Sequence, residues 1–394
     1  MDRSRLIKVG GLIDGSGAGL RRDVTVEIED GIIVAMDEKR QPPHGVACDH
    51  LPHCLLLPPL IDASLLLARS PSVATPDGAN SVGDRATLVA RHLGYCHAHG
   101  VLGLAVGDQP AEVAPAWRDW GYDKGLLELR AACPASGEND GDFLHLRLSA
   151  DIDDREADNF SPSAGLAVSL TNRGKKKVVM VANGAEAVAE ALAAGCDAIE
   201  QGYAMGEDNL RTMAERGVVW IPSLVRAKNG VDGASGGGDI ACRFSQRYVA
   251  PGKPVPGAEA LWRKTLAGQL AQLRLARSLG VVTTLGSGAG NCGLLHGESL
   301  IEEMKLFVKG GYPLAEIFQA ASEVAARFFA MNRLGRLAVG RPATFLIVRG
   351  SLQQLPRKLY FLEGIFVDGA PCPYYRKNPV KAVAGKGSMA VEAV

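Results

Sequence analysis

The chain has 394 residues, enough for one large barrel with an accessory lobe or for two or three ordinary domains. Its 47% apolar and 22% charged residues are the balance of a soluble globular protein, which excludes a disordered or collagen-like chain. Acidic and basic residues cancel at 43 each, so no global field draws in nucleic acid or an anionic membrane.

The opening fifty residues read as short strands. LIKVGGLIDGSG is followed by DVTVEIEDGIIVAMDE, where two β-rich runs flank the turn Glu29-Asp30-Gly31. From residue 55 the pattern becomes strand then helix, repeatedly. The candidate strands are 55–64, 100–107, 126–133, 143–150, 177–182, AIEQG around residue 200, 218–224 and 281–287, each an apolar run suited to a buried parallel strand. Helical periodicity is clear at 184–195, 207–217, 261–280 and 297–311. Between them KNGVDGASGGGDI, 228–240, reads as a glycine-rich insertion after the seventh strand. Near the end, ATFLIVRG (343–350) and KLYFLEGIFVDGAP (358–371) return to the character of the first strands. The alternation predicts an α/β fold: a (β/α)8 TIM barrel over 53–339, a small β-sandwich lobe composed of 1–52 plus 340–375, and a mobile tail at 376–394.

The start, MDRSRLIKVGG, lacks an apolar h-region and predicts no signal peptide. The most apolar run, 55–68, is too short to span a bilayer and contains Pro58 and Pro59. Eight cysteines, at 48, 54, 96, 133, 196, 242, 292 and 372, are scattered without CxxC pairs. Reduced thiols and a cytoplasmic location follow as expectations.

On these motifs the sequence resembles the amidohydrolase superfamily, in particular its imidazolonepropionase-like and prolidase-like metal-dependent hydrolases, over roughly residues 5–375. The resemblance implies one or two divalent metals, zinc or another. They would be held by a His-x-His after the first strand, a carboxylated Lys on the fourth, a His on the fifth and sixth, and an Asp on the eighth. Here the frames persist and the ligands do not. LIDASLLL puts Ser64 and Leu66 at the His-x-His places, and DFLHL puts His145 at the Lys place, with Arg147 the neighbouring choice. Val181, Gln201 and Gly288 stand where the later His, His and Asp would be. Leucine, valine and glycine side chains cannot ligate, and a catalytic zinc wants about three nitrogen, sulfur or carboxylate donors. The sequence therefore predicts no metal, no cofactor and no catalytic residue. His296 and Arg147 are candidates to face a ligand in the barrel mouth.

Other patterns read as structural. His97 and His99 form the chain's only His-x-His, but they close a helix at the wrong end of a barrel unit. Cys292 lies four residues before His296 without an orienting third group, which predicts a loop cysteine. The glycines of GSGAGNCG, 286–293, fit a dinucleotide loop poorly. Asp62 and Glu200 are expected to brace loops, and YYRKNPVK, 374–381, to be a solvated tail.

Two functions remain open. One is a non-catalytic homologue: a binding, regulatory or structural subunit, forming a homo-oligomer or pairing with an active relative, with a small molecule as its possible ligand and no nucleic acid or membrane partner. The alternative is a hydrolase of non-peptide carbon–nitrogen bonds such as cyclic amides, using an atypical single metal held by His145, His296 and a loop group. A third, weaker reading is metal-free chemistry through His145, Arg147 or His296.

Overall fold

The computed structural model describes residues 4–40, 48–71, 82–107, 128–133, 141–152, 170, 173–234 and 257–375. Four strands open the chain: β1 (Arg5–Leu12), β2 (Arg21–Glu29), β3 (Ile32–Glu38) and β4 (Cys48–Leu57). Seven shorter ones follow: β5 (Leu60–Leu65), β6 (Val101–Val106), β7 (Glu128–Ala131), β8 (Phe143–Arg147), β9 (Lys177–Ala182), β10 (Ala198–Gln201) and β11 (Val219–Ile221). Three more close the described chain: β12 (Phe345–Arg349), β13 (Gly364–Val367) and β14 (Ala370–Pro371).

The first and last groups share one seven-stranded sheet, in the order β14-β13-β12-β4-β1-β2-β3. Between β2 and β3, Asp30 and Gly31 both take left-handed backbone (φ 47° and 82°), the signature of a tight type I′ hairpin turn. Ala343 joins the two ends of the strand order: its N–H reaches the Gly31 carbonyl at 2.7 Å, and its carbonyl accepts from Gly369 at 2.8 Å. The sheet thus curls into a sandwich. Because side chains alternate across a strand, the two faces have different fates. Val9, Val26, Leu56, Phe345, Ile347 and Phe366 close a private lobe core, with the Phe345 and Phe366 rings stacked at 4.8 Å. Their neighbours Leu55, Leu57, Leu346, Val348 and Ile365 join the barrel core instead. The expected boundary after residue 52 is therefore displaced. Strand β4 stays in the lobe's sheet through Leu57, and the break falls at Pro58 and Pro59, which have no N–H to extend a ladder.

The barrel strands pair in parallel as β5-β6-β7 and β8-β9-β10-β11. Isolated bonds close the remaining seams. Ala132 bridges Phe143, and Cys133 N–H donates to the Phe143 carbonyl at 2.8 Å. On the far side the 281–287 segment takes the place of an eighth strand. Thr284 N–H bonds the Trp220 carbonyl and Ala63 N–H the Leu285 carbonyl, both at 2.9 Å. Asp62 locks that last seam: its buried carboxyl accepts the Ser287 N–H (2.9 Å), the Ser287 hydroxyl and the Ser64 N–H (3.3 Å). The result is the (β/α)8 barrel with a β-sandwich lobe.

Around it stand α1 (Val82–Ala98), α2 (Ala185–Ala193), α3 (Glu207–Arg216), α4 (Leu224–Ala234), α5 (Ala258–Leu279), α6 (Glu298–Lys309) and α7 (Leu314–Gln319), the last running on through a π turn into α8 (Ala325–Phe328). The unexpected helix is α4, which covers the first part of the glycine-rich stretch; 235–240 lie outside the described residues, as does the tail 376–394. Its Gly230 is a packing residue, since a β-carbon there would come within 2.3 Å of the Trp262 ring. Among the described residues no helix is long and apolar enough to cross a membrane.

Shared burial makes lobe and barrel one cooperative unit. Leu57→Ala, at a fully buried position, should cost about 2–5 kcal/mol and leave a single calorimetric unfolding transition. Separate lobe and barrel transitions would contradict the shared core.

Candidate functional site at the barrel mouth

The C-terminal ends of parallel barrel strands are where such folds build sites. Ser64, Leu66, His145, Arg147, Val181 and Gly288 all line one cleft there. His145 and Arg147 are two apart on β8, so they share a face, and both reach the cleft. Gln201 does not line it: the residue is fully buried behind Asp151.

Each polar group among these places is committed to a neighbour. Glu200, 3% exposed, accepts the Ser64 hydroxyl at 2.6 Å on one oxygen and His145 Nε2 at 2.8 Å on the other. Burial pushes this carboxyl up, but the hydrogen bond and charge of His145, with the Ser64 hydroxyl, prevail and hold it below the usual carboxylate range. The carboxylate stands between hydroxyl and imidazole. That is not the order of an acyl-transfer triad, in which the imidazole is in the middle.

The second knot is centred on Asp151, which pairs with Arg147 at 3.1 Å and Arg226 at 3.3 Å and accepts from Gln201 Nε2. Burial raises its carboxyl, and the guanidiniums of Arg226 and Arg147 outweigh burial to lower it. The Gln201 side-chain oxygen meanwhile accepts Asn183 Nδ2 at 2.9 Å and Ile152 N–H at 3.0 Å. These bonds hold Gln201 in left-handed backbone, φ 70°, a conformation that costs a non-glycine residue about 1–3 kcal/mol.

Arg226 is the residue that the sequence reading missed. It sits in the first turn of α4, 3% exposed, and a β-carbon added to Gly288 would lie 3.2 Å from its Nη1. The guanidinium thus borders the room that a side chain at 288 would need. Helix α4 is itself anchored by Glu303 of α6, whose buried carboxyl takes the N–H groups of Leu224 (2.9 Å) and Val225 (2.7 Å). A signal was available in SLVRAKNG, an arginine immediately after the seventh strand.

These residues do not fit the divalent metal that the fold family implies. Leu66, Val181 and Gly288 offer no side-chain donor, His145 is turned to Glu200, and the Gln201 oxygen is already bonded twice. Two guanidiniums beside the same cleft repel a divalent cation.

The structure corrects the expectation for His296. Rather than facing the mouth, it is 2% exposed, stacks on His92 with ring centroids 3.7 Å apart, and donates from Nε2 to the Leu66 carbonyl at 2.9 Å. His92 donates likewise to the Leu67 carbonyl at 2.7 Å, so the pair props the turn after β5. His145 and His296 therefore do not converge on one metal. His97 is buried with its Nε2 3.5 Å from the Cys372 thiol, and His99 donates to the Tyr95 carbonyl at 2.7 Å, so neither reaches the mouth. Cys292 is an exposed loop thiol. Tyr375, from the expected solvated tail, is half-buried and donates to the Leu362 carbonyl at 2.7 Å.

Barrel, composite lobe and a cleft at the strand ends define the fold class. Residues 150–376 match the amidohydrolase family, and the chain belongs to that family. Its fold is similar to a Xaa-Pro dipeptidase with bound methionine in the active site, at TM-score 0.73 and 19% identity over 93% of this chain and 99% of that one. It is also similar to A. niger ochratoxinase, at TM-score 0.71 and 16% identity over 94% and 95% of the two chains. A molinate hydrolase aligns over 99% of both chains at TM-score 0.68 and 12% identity. No curated protein matches the chain.

Buried titratable groups set a pH profile. Burial depresses His92 and His97 to about 4 and lowers His99 and His296, so unfolding takes up protons below the free imidazole value of about 6.5, and stability falls toward acid. Burial raises Asp62 to about 7 and Glu303 to about 8. The native chain keeps those protons while the unfolded chain releases them near about 4, so this contribution is lost as pH rises. Between about 4 and 6.5 the four imidazoles outnumber the two carboxyls. Thermal midpoints across pH should therefore peak near about 6.5 and fall on the alkaline side. Glu303→Gln should flatten the fall between about 6.5 and 8 and steepen the rise between about 4 and 6.5. An alkaline limb unchanged in that variant would contradict the assignment.

Proposed function

We propose that this amidohydrolase-family barrel has given up metal-dependent catalysis and serves as a binding, regulatory or structural subunit, alone as an oligomer or with an active relative. The observation that supports it most strongly is Arg226, a buried guanidinium beside Gly288, paired to Asp151 in the cleft where the family holds its metal. The loss is not one substitution but a rewiring. Asp151, Arg147, Gln201 and Asn183 form one network and Glu200, His145 and Ser64 another, and in each the carboxylate is paired with neighbouring side chains. Such a network keeps a barrel mouth rigid and folded after its chemistry has gone.

The alternative, hydrolysis of a cyclic amide or similar carbon–nitrogen bond, draws its support from family membership and from the cleft's position. One experiment separates the two. Protein produced with zinc or manganese in the medium should show the same thermal midpoint with and without a chelator, and no turnover of proline dipeptides or cyclic amides above background. Turnover that a chelator abolishes and added metal restores would overturn the proposal.

A further inference from the structure

We propose that the β-sandwich lobe carries a small-molecule site of its own, for a ligand with an anionic oxygen head group and an apolar body. This goes beyond the reading above and stands whether or not the barrel mouth holds a metal. The site is a cleft of about 390 Å³ across four neighbouring strands, β12, β4, β1 and β2, and it shares no lining residue with the mouth. Small-molecule sites commonly measure about 300–1,000 Å³. The cleft lies where the pairing of β1 with β4 is interrupted. Val9 pairs with Leu51 and Gly11 with Leu55, so two steps along β1 match four along β4. The resulting bulge brings the Pro52 carbonyl within 2.1 Å of where a β-carbon on Gly10 would stand, so only glycine fits at position 10.

Charge selects the ligand's sign. Arg22, Arg349 and His53 line the cleft, and among the described residues no carboxylate does. Arg22 is exposed and makes no hydrogen bond or ion pair among the described residues. Arg349 stays 58% exposed, with the Glu363 carboxylate at 3.5 Å, beyond the reach of about 2.7–2.9 Å typical of a charge-assisted hydrogen bond. Both guanidiniums thus keep N–H donors for an anion, which a neutral molecule cannot match as a partner. The Gly350 N–H donates to the His53 carbonyl at 3.0 Å, tying the bulge to the turn that follows Arg349. Leu20, Leu55 and Leu352 supply apolar wall for a ring or a short chain. Carboxylate and phosphate head groups share this chemistry.

The test titrates the full chain with phenyl phosphate, benzoate, neutral benzyl alcohol and inorganic phosphate, by calorimetry and by thermal shift. At least one of the two aromatic anions should bind saturably and raise the thermal midpoint, and the tighter of them identifies the head group. Benzyl alcohol should not bind, and inorganic phosphate, which lacks the apolar body, should bind roughly tenfold more weakly than that anion. Arg22→Gln, at an exposed position, should weaken the anion roughly tenfold. Gln353→Glu, also exposed, puts a carboxylate into the lining and should weaken it as well. Neither substitution touches the barrel mouth, so these losses locate the site in the lobe. Binding of neither aromatic anion, equal binding of benzyl alcohol, or an affinity unmoved by either substitution would each overturn the inference. None of these outcomes bears on metal in the mouth, so failure here leaves the proposed function standing.

Discussion

A buried guanidinium needs a carboxylate, and the pairing of Arg226 with Asp151 is the contact around which the barrel mouth is arranged. Breaking a buried pair by removing one partner costs about 3–5 kcal/mol, and Arg147 shares the same carboxylate at 3.1 Å. Support for the pair runs outward in both directions. Glu303 fixes the first turn of α4 and with it Arg226, while Gln201 holds Asp151 and is itself held in left-handed backbone by Asn183 and the Ile152 N–H. Residues from the sixth barrel strand, two helices and the stretch after β8 are thus tied through one carboxylate. In a metal-dependent barrel an ion would perform that tying.

The lobe supplies a different constraint. Its sheet presents one face to a private core and the other to the barrel, so the first barrel strand is held at both ends. Leu57, Pro58 and Pro59 set where β5 begins, and the Asp62–Ser287 bonds set how its far end meets the last barrel segment. Ser64 at the end of β5 and Leu66 just past it are delivered to the mouth by a strand whose far end the Asp62–Ser287 bonds pin.

Much of this was legible in the sequence. Continuous apolar runs and helices of period 3.6 place nearly every barrel element, because burial on both faces leaves a strong pattern. The frames LIDAS and GSGAG carry Ser64 and Gly288, which line the cleft, whereas IEQG brings Glu200 there and leaves Gln201 buried behind it. Helix α4 was hidden because two glycines and an asparagine disguise it locally; a carboxylate 79 residues away caps it, and the Trp262 ring covers Gly230. His296 misled for a related reason. Sequence places it on the functional face, but only three-dimensional packing reveals the His92 ring it stacks on. Asp151 and Arg226 were invisible as a pair because their partnership depends on side-chain reach across strands, which no spacing encodes.

The central claim is that organic ion pairs have taken over the place of the metal. Crystals grown from protein expressed in zinc- and manganese-supplemented medium, with diffraction recorded across the absorption edges of both metals, test it directly. The account predicts no anomalous peak in the barrel mouth and density for the Arg226 guanidinium beside Gly288, bonded to Asp151. An anomalous peak there, with His145 swung from Glu200 onto the ion, would contradict it.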